Sequence, residues 1–234
     1  MREATGAAAA LPDWAPAQER RPAPGPLLLV QSFINTWNID EHTDVLADVD
    51  AGAGWLRRAG MLGPHAPLQP AELRLCREVR ESIRELIARN GRAQDPTPDD
   101  LRPIETVLDR QDGQPADRLR LAIDGAGHVT VASGIPGTLV SGLLGLLLLI
   151  RDAQRDGQWN RLKICGNADC RWAFYDRSHS RMGAWCEMAS CGNMIKNRNF
   201  RARRRSSEGT NTALAARGAV YRERGRQARR SVGP

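Results

Sequence analysis

The sequence predicts an α+β protein, in which a mostly helical N-terminal domain with one β-hairpin precedes a small module organised by cysteines. Apolar residues recur at helical spacing over much of the first 160 residues, and one segment alternates in the manner of a hairpin. Four of the five cysteines are crowded into residues 165–191. With 234 residues, 41% of them apolar, the chain is long enough to bury a core.

The N-terminal domain is predicted to span residues 26–160, after a disordered Ala- and Pro-rich tail at 1–25. Its clearest helix runs from Pro70 to Asn90, where Pro70 suits the first turn and Gly91 follows as a stop. The apolar stripe of this helix consists of Leu73, Cys76, Val79, Ile83, Leu86 and Ile87. Further helices are predicted within 26–40, 50–62, 97–111 (with Thr97 as the cap) and 138–155, and a hairpin is predicted over 118–132.

The run LVSGLLGLLLLI at residues 139–150 is apolar enough to raise the question of a membrane span. It is bounded by Thr138 and Arg151 and is shorter than the roughly 18–20 residues that a span requires. We therefore predict a buried core helix and no membrane association. Gly142 and Gly145 would then mark a close approach between helices.

Positive charge is concentrated at the C-terminal end of the chain. Residues 161–234 contain 17 Lys or Arg against 5 Asp or Glu, a net charge of +12. Residues 1–160 contain 17 against 22, a net charge of −5. This asymmetry predicts that one end of the molecule binds a polyanion.

The clustered cysteines form two C-x4-C pairs separated by 15 residues, namely Cys165, Cys170, Cys186 and Cys191. No secretory signal is visible, so a cytoplasmic, reducing location is expected, where paired cysteines indicate metal ligands before disulfides. Zinc prefers a closed tetrahedral shell of four thiolates when its role is structural. A knuckle at the first pair, a hairpin over 171–185 and a helix at the second pair would make a treble-clef-like zinc finger, in which four cysteines hold one structural Zn²⁺.

Residues 161–206 resemble the CGNR zinc finger, which is named for the signature at its last cysteine. The residues that carry this resemblance are Cys165, Asn167, Asp169, Cys170, Trp172, Phe174, Tyr175, Asp176, Trp185, Cys186, Met188, Cys191, Gly192 and Asn193. The signature here is CGNM, so Met194 stands where the family has its arginine. The segments at 32–36, 55–62 and 76–87 are similar to the ABATE domain that precedes this finger. The resemblance implies a stress-induced bacterial transcription regulator, with DNA binding by the finger and signal sensing by the larger domain.

The segment after the second cysteine pair has the side chains that duplex DNA requires. Wound as one helix from residue 187, it places Met188, Cys191, Ile195 and Ala202 on an inward stripe. Amide and cationic groups fall on the opposite face, where they could contact base edges and phosphates. The predicted DNA-binding residues are Asn193, Lys196, Asn197, Arg198, Phe200, Arg201, Arg203, Arg204 and Arg205. A basic and flexible tail is predicted over 207–234.

The function predicted from the sequence is a zinc-finger transcription regulator that binds double-stranded DNA. A zinc-stabilised module that binds RNA or a protein is the alternative. An enzyme is not expected, because the metal site has no open position and no Gly-rich phosphate loop or GxSxG motif is present. The sequence leaves open whether the protein is a homodimer.

A small-molecule effector could bind within the larger domain, among polar or aromatic groups that have apolar neighbours. The candidate residues are Asn35, Thr36, Trp37, Trp55 and Arg80. Core aromatic residues and a capping amide explain the same pattern equally well.

Overall fold

The computed structural model of the chain describes residues 10–91, 95–109, 120–123, 129–132, 137–198 and 200–204. The chain divides into two compact units, residues 1–186 and 187–234. The helices of the first unit are α1 (Leu27–Ile34), α2 (Val49–Arg58), α3 (Pro70–Ala88), α4 (Pro98–Asp109) and α5 (Leu139–Arg155). Its strands are β1 (Trp37–Asn38), β2 (Thr43–Asp44), β3 (Arg120–Ile123), β4 (Val129–Ala132), β5 (Leu162–Ile164) and β6 (Ala173–Tyr175). Short 3-10 turns follow α3 at Arg89–Gly91 and α5 at Trp159–Arg161.

The strands form three separate antiparallel pairs, β1–β2, β3–β4 and β5–β6. The predicted hairpin is confirmed as β3–β4, in which Arg120 pairs with Ala132 and Ile123 with Val129. The first unit is therefore a helical domain with small two-stranded ribbons, as the sequence predicts.

Helix α3 lies in the core and is fixed at its start by local chemistry. A reciprocal capping box joins Gln69 to Glu72, whose Oε2 accepts the Gln69 N–H at 2.8 Å. Cys76 is completely buried on the predicted apolar stripe. Burial raises the pKa of its thiol to about 12, so the sulfur behaves as a small hydrophobic group.

Helix α4 begins at Pro98, and the predicted cap at Thr97 is confirmed. The Thr97 hydroxyl accepts the N–H of Asp100 at 3.3 Å, while the Asp100 carboxylate accepts the Thr97 N–H at 2.8 Å. These two bonds satisfy backbone groups that the first turn of a helix leaves without partners.

Helix α5 contains the apolar run and packs into the core, with Leu143, Leu144 and Leu146 at most 1% exposed. A Cβ atom on Gly142 would lie 2.1 Å from the carbonyl oxygen of Met61, so only glycine allows this close approach. A Cβ atom on Gly145 would meet nothing within 4 Å, so the predicted close approach holds at Gly142 alone. Within the described part of the chain, no helix combines the length and apolarity needed to cross a bilayer.

Residues 10–25, which composition assigned to a disordered tail, lie against the first unit in an N-terminal strap. The indole of Trp55 donates to the backbone carbonyl of Trp14 at 2.8 Å, and Glu19 and Ala23 are buried. The N–H of Ala23 donates to the buried side chain of Gln31 at 2.6 Å. The difference arises because a few specific polar contacts, which composition does not reveal, fix this segment.

Candidate metal centre and nucleic-acid interface

The first cysteine pair lies on a knuckle between β5 and β6. The N–H of Cys165 donates to the carbonyl of Trp172 at 2.9 Å, which closes the loop, and the N–H of Cys170 donates to the carbonyl of Asn167 at 3.0 Å. The Asn167 side chain is buried, and its Oδ1 accepts the N–H of Asp169 at 3.2 Å. Backbone hydrogen bonds therefore fix the knuckle on both sides of its cysteines.

The strand pairing differs from the predicted hairpin over residues 171–185. Strand β6 pairs with β5, which precedes the knuckle, and not with the segment that returns towards Cys186. That segment has no strand between residues 176 and 185, although the N–H of Gly166 donates to the carbonyl of Ala184 at 2.8 Å. The loop at 176–184 is held by side chains, as described below.

All four predicted metal ligands come together. The sulfur atoms of Cys165, Cys170, Cys186 and Cys191 lie within 4.8 Å of one another, and the first two and Cys191 are buried. The sulfurs of Cys170 and Cys186 are 3.7 Å apart, and none of the four cysteines is in a disulfide. Four thiols at this separation form a group that can hold a metal ion.

Hydrogen bonds among the thiols shift the pKa values of three of these cysteines. Hydrogen bonds from the thiols of Cys170 and Cys186 lower the pKa of Cys165 to about 2. The hydrogen bond with Cys165 is the largest effect on Cys170 and raises its pKa to about 12, and hydrogen bonds with Cys165 and Cys170 raise the pKa of Cys186. A divalent cation bound among the four thiols would favour their thiolate forms, because its charge stabilises the anions.

The knuckle is joined to α1 through buried amide side chains. Asn35 accepts the N–H of Ala173 at 2.8 Å and donates to its carbonyl at 2.9 Å, a two-way contact of the kind that pairs strands. Gln31 also donates to the Ala173 carbonyl, at 3.2 Å. Both amides are at least 96% buried, so these bonds are shielded from water.

A buried arginine joins the knuckle to α3. The side chain of Arg84 is completely buried, and its guanidinium donates to the carbonyls of Arg171 at 2.8 Å and Ile34 at 2.9 Å. Its Nε donates to Glu81 at 2.9 Å. Burial, which is the largest effect, lowers the pKa of Arg84, and Glu81 opposes this change. Sequence analysis did not single out Arg84, because an arginine on a helix usually faces solvent.

The N-terminal strap adds two charged residues to the same region. Glu19 accepts from the indole of Trp172 at 3.2 Å and from Asn35 at 3.1 Å, and its burial raises its pKa. Arg21 donates to the carbonyl of Trp185 at 2.9 Å and lies over the ring of Phe174, 4.6 Å from its centroid. The strap therefore contacts the finger in two places. It contacts Trp172 and Phe174 after the knuckle, and it contacts Trp185 directly before Cys186.

Asp176 holds the loop that follows β6. Its carboxylate is completely buried and accepts the backbone N–H groups of Ser178 at 3.0 Å and Gly183 at 2.7 Å. It also binds Arg21 at 3.2 Å and Lys163 at 3.3 Å. Burial raises the pKa of Asp176, but the hydrogen bonds outweigh this effect and lower the pKa to about 2.

The second unit begins with a π-helical turn, Met188–Gly192, in which the N–H of Gly192 donates to the carbonyl of Glu187 at 3.1 Å. The wider turn changes the angular position of every later residue. The inward stripe predicted from one regular helix starting at residue 187 therefore does not form as a whole. Cys191 is buried and Ile195 is half-buried, but Met188 is 48% exposed and Ala202 is exposed. The prediction of Met188 and Ala202 as inward residues is therefore wrong.

After this turn, residues 193–198 and 200–204 are helical, and we call them the basic helix. Every predicted DNA-binding residue that the structure describes is exposed there, namely Asn193, Lys196, Asn197, Arg198, Phe200, Arg201, Arg203 and Arg204. Phe200 is 61% exposed, and Met194, at the position of the signature arginine, is 53% exposed. Arg205 and the predicted tail at 207–234 lie outside the described residues.

The five candidate effector residues make contacts within the first unit. Arg80 binds Asp44 with two bonds of 2.6 and 2.9 Å, donates to the Thr36 hydroxyl at 3.1 Å and lies 5.4 Å from the centre of the Trp37 ring. Asn35 and Trp55 are bonded to the backbone, as described above. Three cavities lined by described residues include none of the five.

Two family models match the chain. Residues 27–154 match ABATE, whose description is "putative stress-induced transcription regulator", and residues 161–204 match the CGNR zinc finger. A search of curated proteins gave no match. Because the first match alone covers more than half of the 234 residues, the chain belongs to the ABATE family, and a match to the CGNR zinc finger follows that domain.

Proposed function

We propose that this protein is a DNA-binding transcription regulator, in which one structural Zn²⁺ in the four-cysteine cluster orders the finger and the basic helix contacts the duplex. The observation that carries the proposal is the helix directly after the fourth cysteine, which exposes Lys196 and four described arginines. No carboxylate occurs between Glu187 and Arg205, so every charged side chain in this segment is cationic.

The donor set supports zinc as the metal. Four thiolates without an additional carboxylate or water ligand are typical of structural zinc. A divalent ion also offsets part of the negative charge that four neighbouring thiolates carry. A closed set of four protein ligands leaves no position for a substrate, which supports a structural and not a catalytic metal. We therefore propose no enzymatic activity.

The basic helix supports duplex DNA as the partner. Lys196 and Asn197 lie three and four residues after Asn193, and Phe200 and Arg204 continue at steps of three and four from Asn197, so the five residues share one face. Guanidinium and ammonium groups on that face would bind phosphates, while the amide of Asn197 could bind an adenine edge. Phe200 could contact a thymine methyl group.

A module that binds RNA or a protein is the alternative function. Selection of bound molecules from random pools of duplex DNA and of RNA, with the zinc-loaded full chain, separates these functions. Enrichment of a duplex sequence motif is the expected result. Recovery of RNA alone, or of no nucleic acid, would contradict the proposal.

Three further features belong to this proposal. The reducing cytoplasm would keep the cluster thiols available for metal. The first unit would respond to an effector, with Asn35, Thr36, Trp37, Trp55 and Arg80 as the candidate residues. A homodimer would match paired half-sites on DNA.

A further inference from the structure

A cavity of about 350 Å³ lies in the first unit beside the knuckle. It is lined by the 3-10 turn after α3, by β5 and the start of the knuckle, and by the loop before Cys186, with Asn90, Gly91, Lys163, Gly166, Arg181 and Gly183 among its walls. The volume is at the lower end of the range of about 300–1,000 Å³ found for small-molecule sites. The effector candidates named above lie elsewhere.

The described lining of this cavity contains two cationic side chains and no carboxylate. Lys163 is 5% exposed, and its ammonium group donates to the backbone carbonyl of Arg181. The carboxylate that binds Lys163 is Asp176, and it also binds Arg21. A single negative charge is therefore shared between two cations, and Arg181 adds a third positive charge at the cavity wall.

The loop that carries Arg181 is fixed in position. Asp176 accepts N–H groups from Ser178 and Gly183, so it holds the loop on both sides of Arg181. A Cβ atom on Gly183 would lie 2.8 Å from the Asp176 carboxyl carbon, which only glycine avoids. Arg181 itself has a positive φ of 52°. The backbone at Arg181 is therefore held in position at the cavity wall.

From this excess of positive charge at a cavity with fixed walls, we propose that the cavity binds a phosphate group through Lys163 and Arg181. A buried ammonium group and a forked guanidinium group together are a usual combination for phosphate oxygens. The phosphate could come from a small phosphorylated molecule or from the backbone of bound DNA, and the chemistry of recognition is the same in both cases.

Arg181→Gln tests the proposal, because it removes the cation while the backbone carbonyl that binds Lys163 stays. Arg177→Gln is the matched control: Arg177 is exposed on the same loop, donates to the carbonyl of Pro22 and does not line the cavity. Both variants lose one positive charge. Equal zinc content and equal melting temperatures would show that both are folded.

Two measurements distinguish the sources of phosphate. In the first, inorganic phosphate is titrated into the full zinc-loaded chain by calorimetry; if the site takes free phosphate, Arg181→Gln should weaken binding about tenfold or more and Arg177→Gln should not. In the second, a DNA duplex replaces inorganic phosphate, and its affinity is measured at several salt concentrations. If the site takes a backbone phosphate, the slope of log K against log salt should be smaller in magnitude by about one for Arg181→Gln than for Arg177→Gln. If the two variants behave alike in both measurements, the proposal is wrong. The first measurement involves no DNA, so it can succeed even if the proposed regulatory function fails.

Discussion

The guanidinium group of Arg84 lies 2.8 Å from the backbone carbonyl of Arg171, although 87 residues separate them in the chain. The first belongs to the core helix of the ABATE domain, and the second directly follows Cys170 of the four-cysteine cluster. Together with the two-way contact between Asn35 and Ala173, this bond joins the first half of the zinc finger to the helical domain. The metal centre and the domain before it should therefore be coupled in stability.

Removing one metal ligand should destabilise the helical domain as well as the finger. Cys186→Ser is expected to abolish stoichiometric zinc, because structural zinc supplies roughly 10 kcal/mol or more in finger peptides. Circular dichroism should show the helical signal melting at a lower temperature than in the parent protein. Cys76→Ala is the control, since Cys76 lies outside the cluster and the variant should keep one zinc per chain. A helical signal that melts at the parent temperature in zinc-free Cys186→Ser would show that the two parts are independent.

Loss of Arg84 should cost far more than loss of an exposed arginine. Arg84→Met leaves the carbonyls of Ile34 and Arg171 without their buried donor, so the free energy of unfolding should fall by about 3 kcal/mol. Arg102 pairs with Asp99 at the surface, with 72% of its side chain exposed. Arg102→Met should therefore change the free energy of unfolding by less than about 1 kcal/mol. Urea denaturation measures both values, and equal effects would contradict the role assigned to Arg84.

The negative charge of Asp176 should stabilise the folded protein at neutral pH but not at strongly acidic pH. Its pKa of about 2 in the folded protein lies below the ordinary value of 3.8, so the contribution is fully present above pH 3.8 and is lost as pH falls towards 2. Asp176→Asn should lower the free energy of unfolding at pH 7 by about 2 kcal/mol.

The difference between Asp176→Asn and the parent should narrow as pH falls below 3.8. Both proteins are compared at each pH, so that protonation of the cysteines affects them alike. Asp40→Asn, a change at an exposed carboxylate, should stay within about 0.5 kcal/mol of the parent. A pH-independent difference for Asp176→Asn would show that its charge is not what stabilises the loop.

Cations of the basic helix should act on DNA binding without affecting the fold. The double variant Arg201→Ala and Arg204→Ala should keep its zinc and its melting temperature while its affinity for every duplex falls. The slope of log K against log salt should become smaller in magnitude by about two. The control, Arg151→Ala with Arg155→Ala, removes the same charge from exposed positions of α5 and should bind like the parent. Equal duplex affinity in the two double variants would argue against the basic helix as the DNA-binding element.

Sequence patterns predicted the features that depend on local chemistry. The stripe of α3, the cap at Thr97, the β3–β4 hairpin and the four clustered cysteines all follow from the spacing of residues near one another in the chain. The same reasoning treated the finger as a module beginning at residue 161. It could not foresee that Gln31, Asn35 and Arg84 bind the knuckle, because their partners there are far away in the chain.

Two other features escaped prediction for different physical reasons. An Ala- and Pro-rich composition indicates disorder on average, yet single buried contacts of Glu19 and Arg21 hold the strap. The π-helical turn at Met188–Gly192 adds one residue to a helical turn, and periodicity analysis assumes a constant angle. Both cases depend on individual hydrogen bonds, which leave no repeating pattern in the sequence.

Complete burial of Cys76 has a practical consequence for anyone who handles this protein. A thiol with a pKa of about 12 and no solvent access reacts very slowly with alkylating agents and disulfide reagents at neutral pH. In a chain whose cluster holds the proposed Zn²⁺, Cys165, Cys170, Cys186 and Cys191 would be bound as thiolates, and loss of the metal would release them to react. A simple colorimetric count of those thiols then reports how much of a preparation has lost its metal, without any need to mutate the fifth cysteine.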